Sequence, residues 1–598
     1  MMPTGLEAIA STDLPPLTRQ RPRALWAAAA VIGLAVLLPA GVNQYWMQIG
    51  TLAFVYWVLI AGLDLIIGYA GQLAVGFVGL LAIGAYTASI LCEKASWPAF
   101  AALAAAGAAG ALFGFLVGLP SLRLKGFYFA MTTLGFSTIV TQVALGWERL
   151  TGGGIGLPGP IFPAPLDSPV GFYYLALGMA LLATYLLRNV AFSNFGRGLV
   201  AVRDAEVAAE AMGVPITRLK LVTFTLSGIL AGMAGALFAA RQTYITPDAF
   251  TFDLSVLFFI MVLIGGRGRI VGPMIGTLIL TLLPEIAAPL VMWSNFLYAV
   301  LLLLVVLIVP GGIAAFLERL FVKTAKGEGL EAPAPERLNA VLGQHASPKV
   351  LTLQGVALHF GGVRALDGVD VAVWPGTVHG LIGPNGSGKT TLLNAVSGFY
   401  AANSGRIVFG EADLAARPSA DRAALGIART FQTPRVVGNL SVLENAMLGA
   451  YRQFTTSFPA VALGSRHGVI EDCAIRQRAA DALAAVGLRR LAHLRAEQLQ
   501  HTEQRLLEIA RCLVMQPSIL LLDEPAAGLS HDEIEHLQAL IEHIRSLGVA
   551  ILLVEHHADL VFQVSDEVTV LDVGRVLAHG APAEVRINPE VINAYLGA

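Results

Sequence analysis

The sequence predicts a multi-domain chain: a polytopic all-α membrane domain of about 10 transmembrane helices, then an α/β domain of the P-loop NTPase class. Three observations carry that reading. The chain has 598 residues, too long for one ordinary domain. Its hydrophobic share is 56% and its charged share 13%, yet charges are sparse up to Phe321 and ordinary after Pro348, so the average blends a membrane half with a globular half. A glycine-rich run beginning at Gly383 then sits between an apolar strand pattern and a helix pattern.

Taking the elements in order, the first twenty residues carry Glu7, Asp13 and several prolines, a poor opening for a signal peptide. Ala24 to Ala40 is therefore read as a retained first helix after a cytoplasmic tail, residues 1–23. A span needs about 20 mostly apolar residues. Candidates run near 24–42, 49–68, 72–92, 97–119, 126–146, 170–187, 221–240, 252–266, 270–291 and 294–310. With the amino terminus inside, fifteen Lys and Arg residues from Arg19 to Lys326 fall on the inner side, against only Lys94, Arg149 and Arg241 outside. That bias orients the helices and leaves the globular half in the cytoplasm.

Two loops stand out. Thr151 to Pro160, outside, is rich in turn residues and reads equally as a substrate gate or a solvated loop. Arg188 to Lys220, inside, holds a short amphipathic stretch, Asp204 to Gly213, read as a helix that docks on an ATPase rather than on the membrane surface. Polar residues within the spans are few: Asp64, Gln72, Gln142 and Glu285. Ionisable groups at such depth are functional candidates, although Asp64 and Glu285 fall near helix ends where water or backbone can satisfy them.

Residues 327–349 are polar and rich in Ala and Pro and read as a tether. Net charge near −2 with no basic stripe gives no sign of a nucleic-acid partner. The cysteines Cys92, Cys473 and Cys512 are too scattered for a disulfide framework or a zinc site.

The run Gly383, Pro384, Asn385, Gly386, Ser387, Gly388, Lys389, Thr390 matches the phosphate-binding loop G-x-x-x-x-G-K-[ST], with Thr391 next in the helix. Glycines let backbone N–H groups and a helix N-terminus wrap an anion. Lys389 would reach the β- and γ-phosphates of ATP, and Thr390 would ligate Mg2+. Ile519 to Leu522 ending in Asp523 and Glu524 reads as a buried strand with a carboxylate at its tip. Asp523 would hold Mg2+ and Glu524 would polarise the attacking water.

Residues 350–598 resemble the ATPases of ABC transporters, most closely the first of the two ATPases of branched-chain amino acid importers. The resemblance implies that Phe360 stacks on adenine, that Gln432 senses magnesium and the membrane contact, that Ala527 to Ser530 form the loop after the acidic pair, and that His556 contacts the γ-phosphate. Most of residues 30–320, within a membrane domain of residues 24–326, is similar to the permeases of the same importers, through Gly68 to Gly76, Gly118 to Gly126, Leu134 to Phe136, Arg203 to Glu206 and Leu283 to Glu285. Together these imply a fused permease and ATPase in the cell inner membrane. They also imply a second permease subunit, a second ABC ATPase subunit, an external substrate-binding protein and membrane lipid as partners, with a branched-chain or other hydrophobic amino acid as substrate. Related importers carry urea, amides or aromatic acids; an exporter half and a nucleotide-binding regulatory half-transporter are the rival readings. One departure stands out. The family signature opens Leu-Ser followed by Gly and Gln, whereas Leu499 is followed here by Gln500, His501, Thr502 and Glu503. That change bears on the ATP site to which this chain lends its signature.

Overall fold

The chain is described as a computed structural model covering residues 22–242, 244–286, 296, 300, 303, 307, 311–321, 331–343 and 348–596. The membrane half is helical: α1 (Pro22–Gly41), α2 (Gln44–Asp64), α3 (Val78–Ala95), α4 (Ala99–Gly118), α5 (Phe127–Gly146), α6 (Pro169–Ala191), two short helices α7 (Asn194–Asp204) and α8 (Glu206–Ala211), then α9 (Ile216–Arg241), α10 (Phe252–Gly265), α11 (Val271–Ile286) and α12 (Gly312–Phe321). Among the described residues seven helical segments are long and apolar enough to cross a membrane, with Ala29–Gly41 and Val271–Ile286 as shorter apolar pieces. The expected span 294–310 lies outside the described residues apart from four positions.

The centre of this half is α2, buried along most of its length, with α9 packed against α2, α3 and α4. Small residues allow that approach. A methyl group added at Gly110 would lie 2.1 Å from the Gly228 carbonyl, and one at Gly84 would lie 2.1 Å from that of Gly232. Apolar side chains such as Leu37, Leu112 and Leu182 remain exposed on the outer faces, as lipid contact requires.

The expected span 72–92 begins later than its hydropathy suggests. Gly71 takes a left-handed φ of 68°, and residues 71–76 run without helix. Their backbone donors are not lost, because Val75 N–H and Gly76 N–H donate to Thr133 Oγ1 at 3.1 and 3.2 Å. Irregular backbone at this depth survives where protein supplies the partners.

The expected tether is not free along its length. Glu331 N–H donates to Gly487 O at 3.0 Å and Ala334 N–H to Ala484 O at 3.1 Å. A short helix α13 (Leu338–Leu342) then buries Leu338, Val341 and Leu342 in the cassette core. Its low apolar content hid this, because three side chains at i, i+3 and i+4 are enough for one docked turn.

The globular half has two sheets. Strands β1 (Leu351–Phe360), β2 (Val363–Val373), β4 (Ser404–Phe409) and β5 (Ala412–Asp413) form an antiparallel sheet in the order β2-β1-β4-β5. The second sheet, in the order β10-β9-β3-β8-β7-β6, contains β3 (Val378–Ile382), β6 (Ile427–Arg429), β7 (Ile519–Asp523), β8 (Ala550–Val554), β9 (Glu567–Asp572) and β10 (Arg575–Gly580). Strands β3, β7 and β8 are wholly buried and parallel, and apart from His379 on β3 they are apolar up to their functional ends, as strands covered on both faces tend to be. Helices α14 (Lys389–Ser397), α15 (Val442–Met447), α16 (Arg466–Ala485) and α17 (His501–Val514) flank them.

Candidate nucleotide site and its contact with the membrane half

The carboxyl ends of β3, β7 and β8 lie side by side, so the segments that leave them meet at one edge of the sheet. Gly383 to Gly388 turn from β3 into α14, with left-handed φ values of 82° at Gly386 and 105° at Gly388 that favour glycine. A methyl group at Gly388 would also lie 2.5 Å from the Ala365 carbonyl. Lys389 folds back across the loop and donates to Gly383 O at 2.7 Å and Pro384 O at 3.0 Å. Burial lowers its pKa, an effect that the Glu524 and Asp523 carboxylates oppose. Asn385 and Gly386 are exposed, Ser387 is buried with no partner for its hydroxyl, Thr390 is exposed, and Pro384 and Thr391 are half-buried.

Asp523 ends β7 almost wholly buried. Its Oδ2 receives Arg429 Nη2 at 3.0 Å, while its Oδ1 has no partner. Burial pushes its pKa up against the Arg429 guanidinium. The unpartnered Oδ1 and the exposed Thr390 hydroxyl are hard oxygen donors of the kind magnesium takes, so the residues present fit that ion.

Glu524 adopts a left-handed φ of 50°, a conformation costing about 1–2 kcal/mol for a residue with a side chain. Its N–H donates to Val554 O at 2.8 Å. Its carboxylate faces His556 Nε2 at 2.7 Å and Gln432 Nε2 at 3.1 Å from each oxygen. Three residues far apart in sequence thus meet on one carboxylate beside the phosphate loop. Phe360 sits at the hairpin tip, half exposed, edge-on to Tyr400 with ring centroids 5.0 Å apart.

Some site residues carried no motif of their own. Arg429 is buried and holds Asn394 Oδ1 at 2.6 Å and Ser397 Oγ at 2.8 Å besides Asp523. Glu508 on α17 accepts the N–H groups of Phe431 and Arg435 at 3.0 and 2.9 Å, so it fixes the backbone on both sides of Gln432. Arg505, one turn earlier, donates to the carbonyls of Glu524 and Gln432. The signal was available in Arg505, Glu508 and Arg511: charges spaced three apart on the side of α17 that faces the core.

The amino end of α17 carries the altered signature. Gln500 is its cap, and the Glu503 carboxylate reaches back to accept Gln500 N–H at 2.8 Å. The helix N-terminus is therefore already capped by an anion from its own chain.

The membrane half meets the cassette through the loops expected on the inner side. The contact is wider than the amphipathic stretch 204–213, because α7 carries much of it. Asn194 Nδ2 donates to Tyr451 O at 3.1 Å, Asn189 Nδ2 to Ala462 O at 2.9 Å, Arg197 pairs with Asp472, and Asn439 Nδ2 donates to Asp204 Oδ2 at 2.8 Å.

Of the polar residues within the spans, Glu285 accepts from Tyr45 at the outer end and Gln142 lies exposed on α5. Gln72 and Asp64 are buried, and Asp64 Oδ1 accepts Gly268 N–H at 2.9 Å. The structure does not bring these four into one cluster.

A family model described as the permease component of the branched-chain amino acid transport system matches residues 46–310. The ABC transporter model matches 366–527, and that of the branched-chain amino acid ATP-binding cassette transporter matches 575–598. The high-affinity branched-chain amino acid transport ATP-binding protein LivG of Escherichia coli strain K12 is 39% identical over 259 residues, 42% of this chain and 99% of that protein. The chain belongs to the branched-chain amino acid ABC transporter family. It unites two of that family's components. The permease protein LivM of Salmonella typhimurium is 30% identical over 331 residues, 51% of this chain and 78% of that protein. The ATP-binding protein BraF of Pseudomonas aeruginosa is 39% identical over 259 residues, 42% of this chain and 99% of that protein. The chain is thus a multi-pass permease fused to an ATP-binding ABC cassette.

Proposed function

We propose that this chain drives uptake of branched-chain amino acids across the cell inner membrane by hydrolysing ATP at its own cassette, which faces the cytoplasm. The observation that carries the reading is the meeting of Gln432 and His556 on the Glu524 carboxylate beside the Lys389 loop, in a chain that also supplies the permease.

The loop Gly383 to Thr391 cradles the phosphates, with Lys389 leaving the carbonyls of Gly383 and Pro384 to offset the β- and γ-phosphate charge. Phe360 packs against the adenine. Glu524 accepts a proton from the attacking water, and the Nε2–H of His556 holds that carboxylate until the γ-phosphate takes the contact over. Gln432, Thr390 and Asp523 would hold magnesium, which supplies positive charge against the transferring phosphoryl group. Closure of the cassette on a second ABC ATPase, and its reopening, moves α7 and α8 against the membrane helices. A second permease and an external substrate-binding protein complete the importer.

The test is uptake of radiolabelled leucine, isoleucine and valine by cells that hold or lack the complete set of subunits, with urea, an amide and an aromatic acid as competitors. ATP-dependent uptake of the branched-chain amino acids, unaffected by the competitors, is the expected result. Uptake of a competitor alone overturns the substrate, and export overturns the direction.

A further inference from the structure

Asp64 is the one fully buried acid of the membrane half among the described residues. It closes α2, and the chain continues as a single π-helical turn, Leu65–Tyr69. Such turns occur singly and often at functional sites. Its Oδ1 receives Gly268 N–H at 2.9 Å from the turn between α10 and α11, but Oδ2 is buried with no partner. A lone buried carboxylate oxygen is costly, so its retention asks for a use.

A donor stands one residue away. Arg203, near the end of α7, lies against Gly71, where a methyl group would come within 2.4 Å of its Cγ. One of its N–H groups donates to Gly68 O. A methyl group at Gly268 would lie 3.0 Å from Arg203 Nη1, so Gly268 touches both the guanidinium and Asp64. The rest of the guanidinium binds Asp204, at 2.7 Å from Nε and 3.1 Å from Nη2. Asp204 is held in turn by the cassette, through Asn439 Nδ2 at 2.8 Å.

That asparagine is firmly tied to the nucleotide site. Asn445 holds Val437 N–H and O at 2.8 and 3.0 Å, Glu508 holds Phe431 and Arg435, and Gln432 binds Glu524. The backbone from Gln432 to Asn439 is thus pinned at Phe431, Arg435 and Val437, so Asn439 moves as one body with the nucleotide site.

The geometry points to a two-position arginine latch: Arg203 pairs with Asp204 while Asn439 holds that carboxylate, and turns onto Asp64 Oδ2 when the cassette withdraws. The Arg203–Asp204 side chains are only about one-fifth exposed, and Asn439 adds to this pair a hydrogen bond that goes when the cassette withdraws, which biases the choice. Turning inward satisfies the buried oxygen and draws α7 toward the π-turn of α2 and the turn before α11. Asp64 and Arg203 are then positioning residues for coupling, not substrate ligands.

The latch rests on hydrolysis driving uptake. Its test uses the complete complex in proteoliposomes, reading phosphate release and radiolabelled leucine uptake together. Asp64→Asn keeps an acceptor for Gly268 N–H but removes the charge. Hydrolysis stays within about twofold while uptake per ATP falls about tenfold, the scale of a coupling energy. Asp64→Asn combined with Arg203→Gln loses no more than the worse single variant, because both act through one contact. Arg203→Lys, which keeps charge but not the fork, shows the same loss of uptake per ATP and serves if Asp64→Asn does not assemble. Multiplying losses in the double variant, or hydrolysis and uptake falling in step, overturns the latch while leaving the transport reading intact. A wild-type complex without ATP-driven uptake overturns that reading first.

Discussion

Lys389 rests on the carbonyls of Gly383 and Pro384, contacts that only stand in for phosphate oxygens. Truncating it removes the one mobile cation of the loop, so Lys389→Ala is expected to weaken ATP binding by at least about tenfold, the worth of one charge-assisted hydrogen bond. Equilibrium binding of a fluorescent ATP analogue measures this; unchanged affinity would reassign the loop. A second residue makes a claim about acid. His379 on β3 is buried, bonded to Thr569 Oγ1 at 2.9 Å and stacked on His579, and burial depresses its pKa to about 4. Its unfolded value is 6.5. The unfolded chain therefore takes up a proton that the folded one refuses, so stability is full above pH 6.5 and drains as pH falls toward 4. The loss is on the order of 3 kcal/mol. Thermal unfolding of the purified chain at pH 7.5 and 5 should show the drop, and His379→Gln should flatten it.

At the scale of elements, the segment 331–343 is the instructive case. Its polar composition reads as a tether, yet two backbone hydrogen bonds and three buried side chains seat it on α16 and α17. It ties the membrane half to the helix that carries the signature. Leu338→Ala combined with Val341→Ala should cost several kcal/mol, at about 2–5 for a buried leucine alone. The readout is a lower unfolding temperature and faster proteolytic cleavage in this segment, at positions resistant in the parent chain. Equal cleavage rates would mean the docking adds nothing. What was legible here followed from strong local pattern. The strand–loop–helix around Lys389 and the apolar strand before Asp523 declare themselves, because phosphate loops and buried parallel strands have narrow sequence requirements. Residues 71–76 were hidden, since their departure from helix depends on Thr133, distant in sequence. Arg429 was hidden for the same reason, because its role comes from partners on other elements, whereas Glu508 was foreshadowed by the spacing of charges on α17.

For the whole molecule, the altered signature sets an asymmetry. Glu503 caps α17 itself, and Gln500 and Thr502 replace the expected serine and glycine. In the proposed pairing with a second ABC ATPase, this end would face the ATP held by the partner. The site built on Lys389 and Glu524 would instead borrow the partner's signature. Lys389→Ala in this chain should therefore abolish transport, whereas the matching lysine change in the second ATPase should leave a measurable fraction. Uptake by the two single variants decides it, and equal, complete loss in both would refute the asymmetry. Among the described residues the segment Arg188 to Lys220, rich in Arg and Lys, carries much of the contact with the cassette, joined by Tyr185 at Leu463.

We propose that one chain holds both the hydrolytic carboxylate, Glu524, and the membrane path it drives. The most direct measurement is leucine uptake and phosphate release by the complete complex in proteoliposomes, parent against Glu524→Gln. The expected result is retained ATP binding, hydrolysis lower by at least about a hundredfold, as loss of a general base implies, and uptake lost with it. Full uptake by the Glu524→Gln complex would contradict the account.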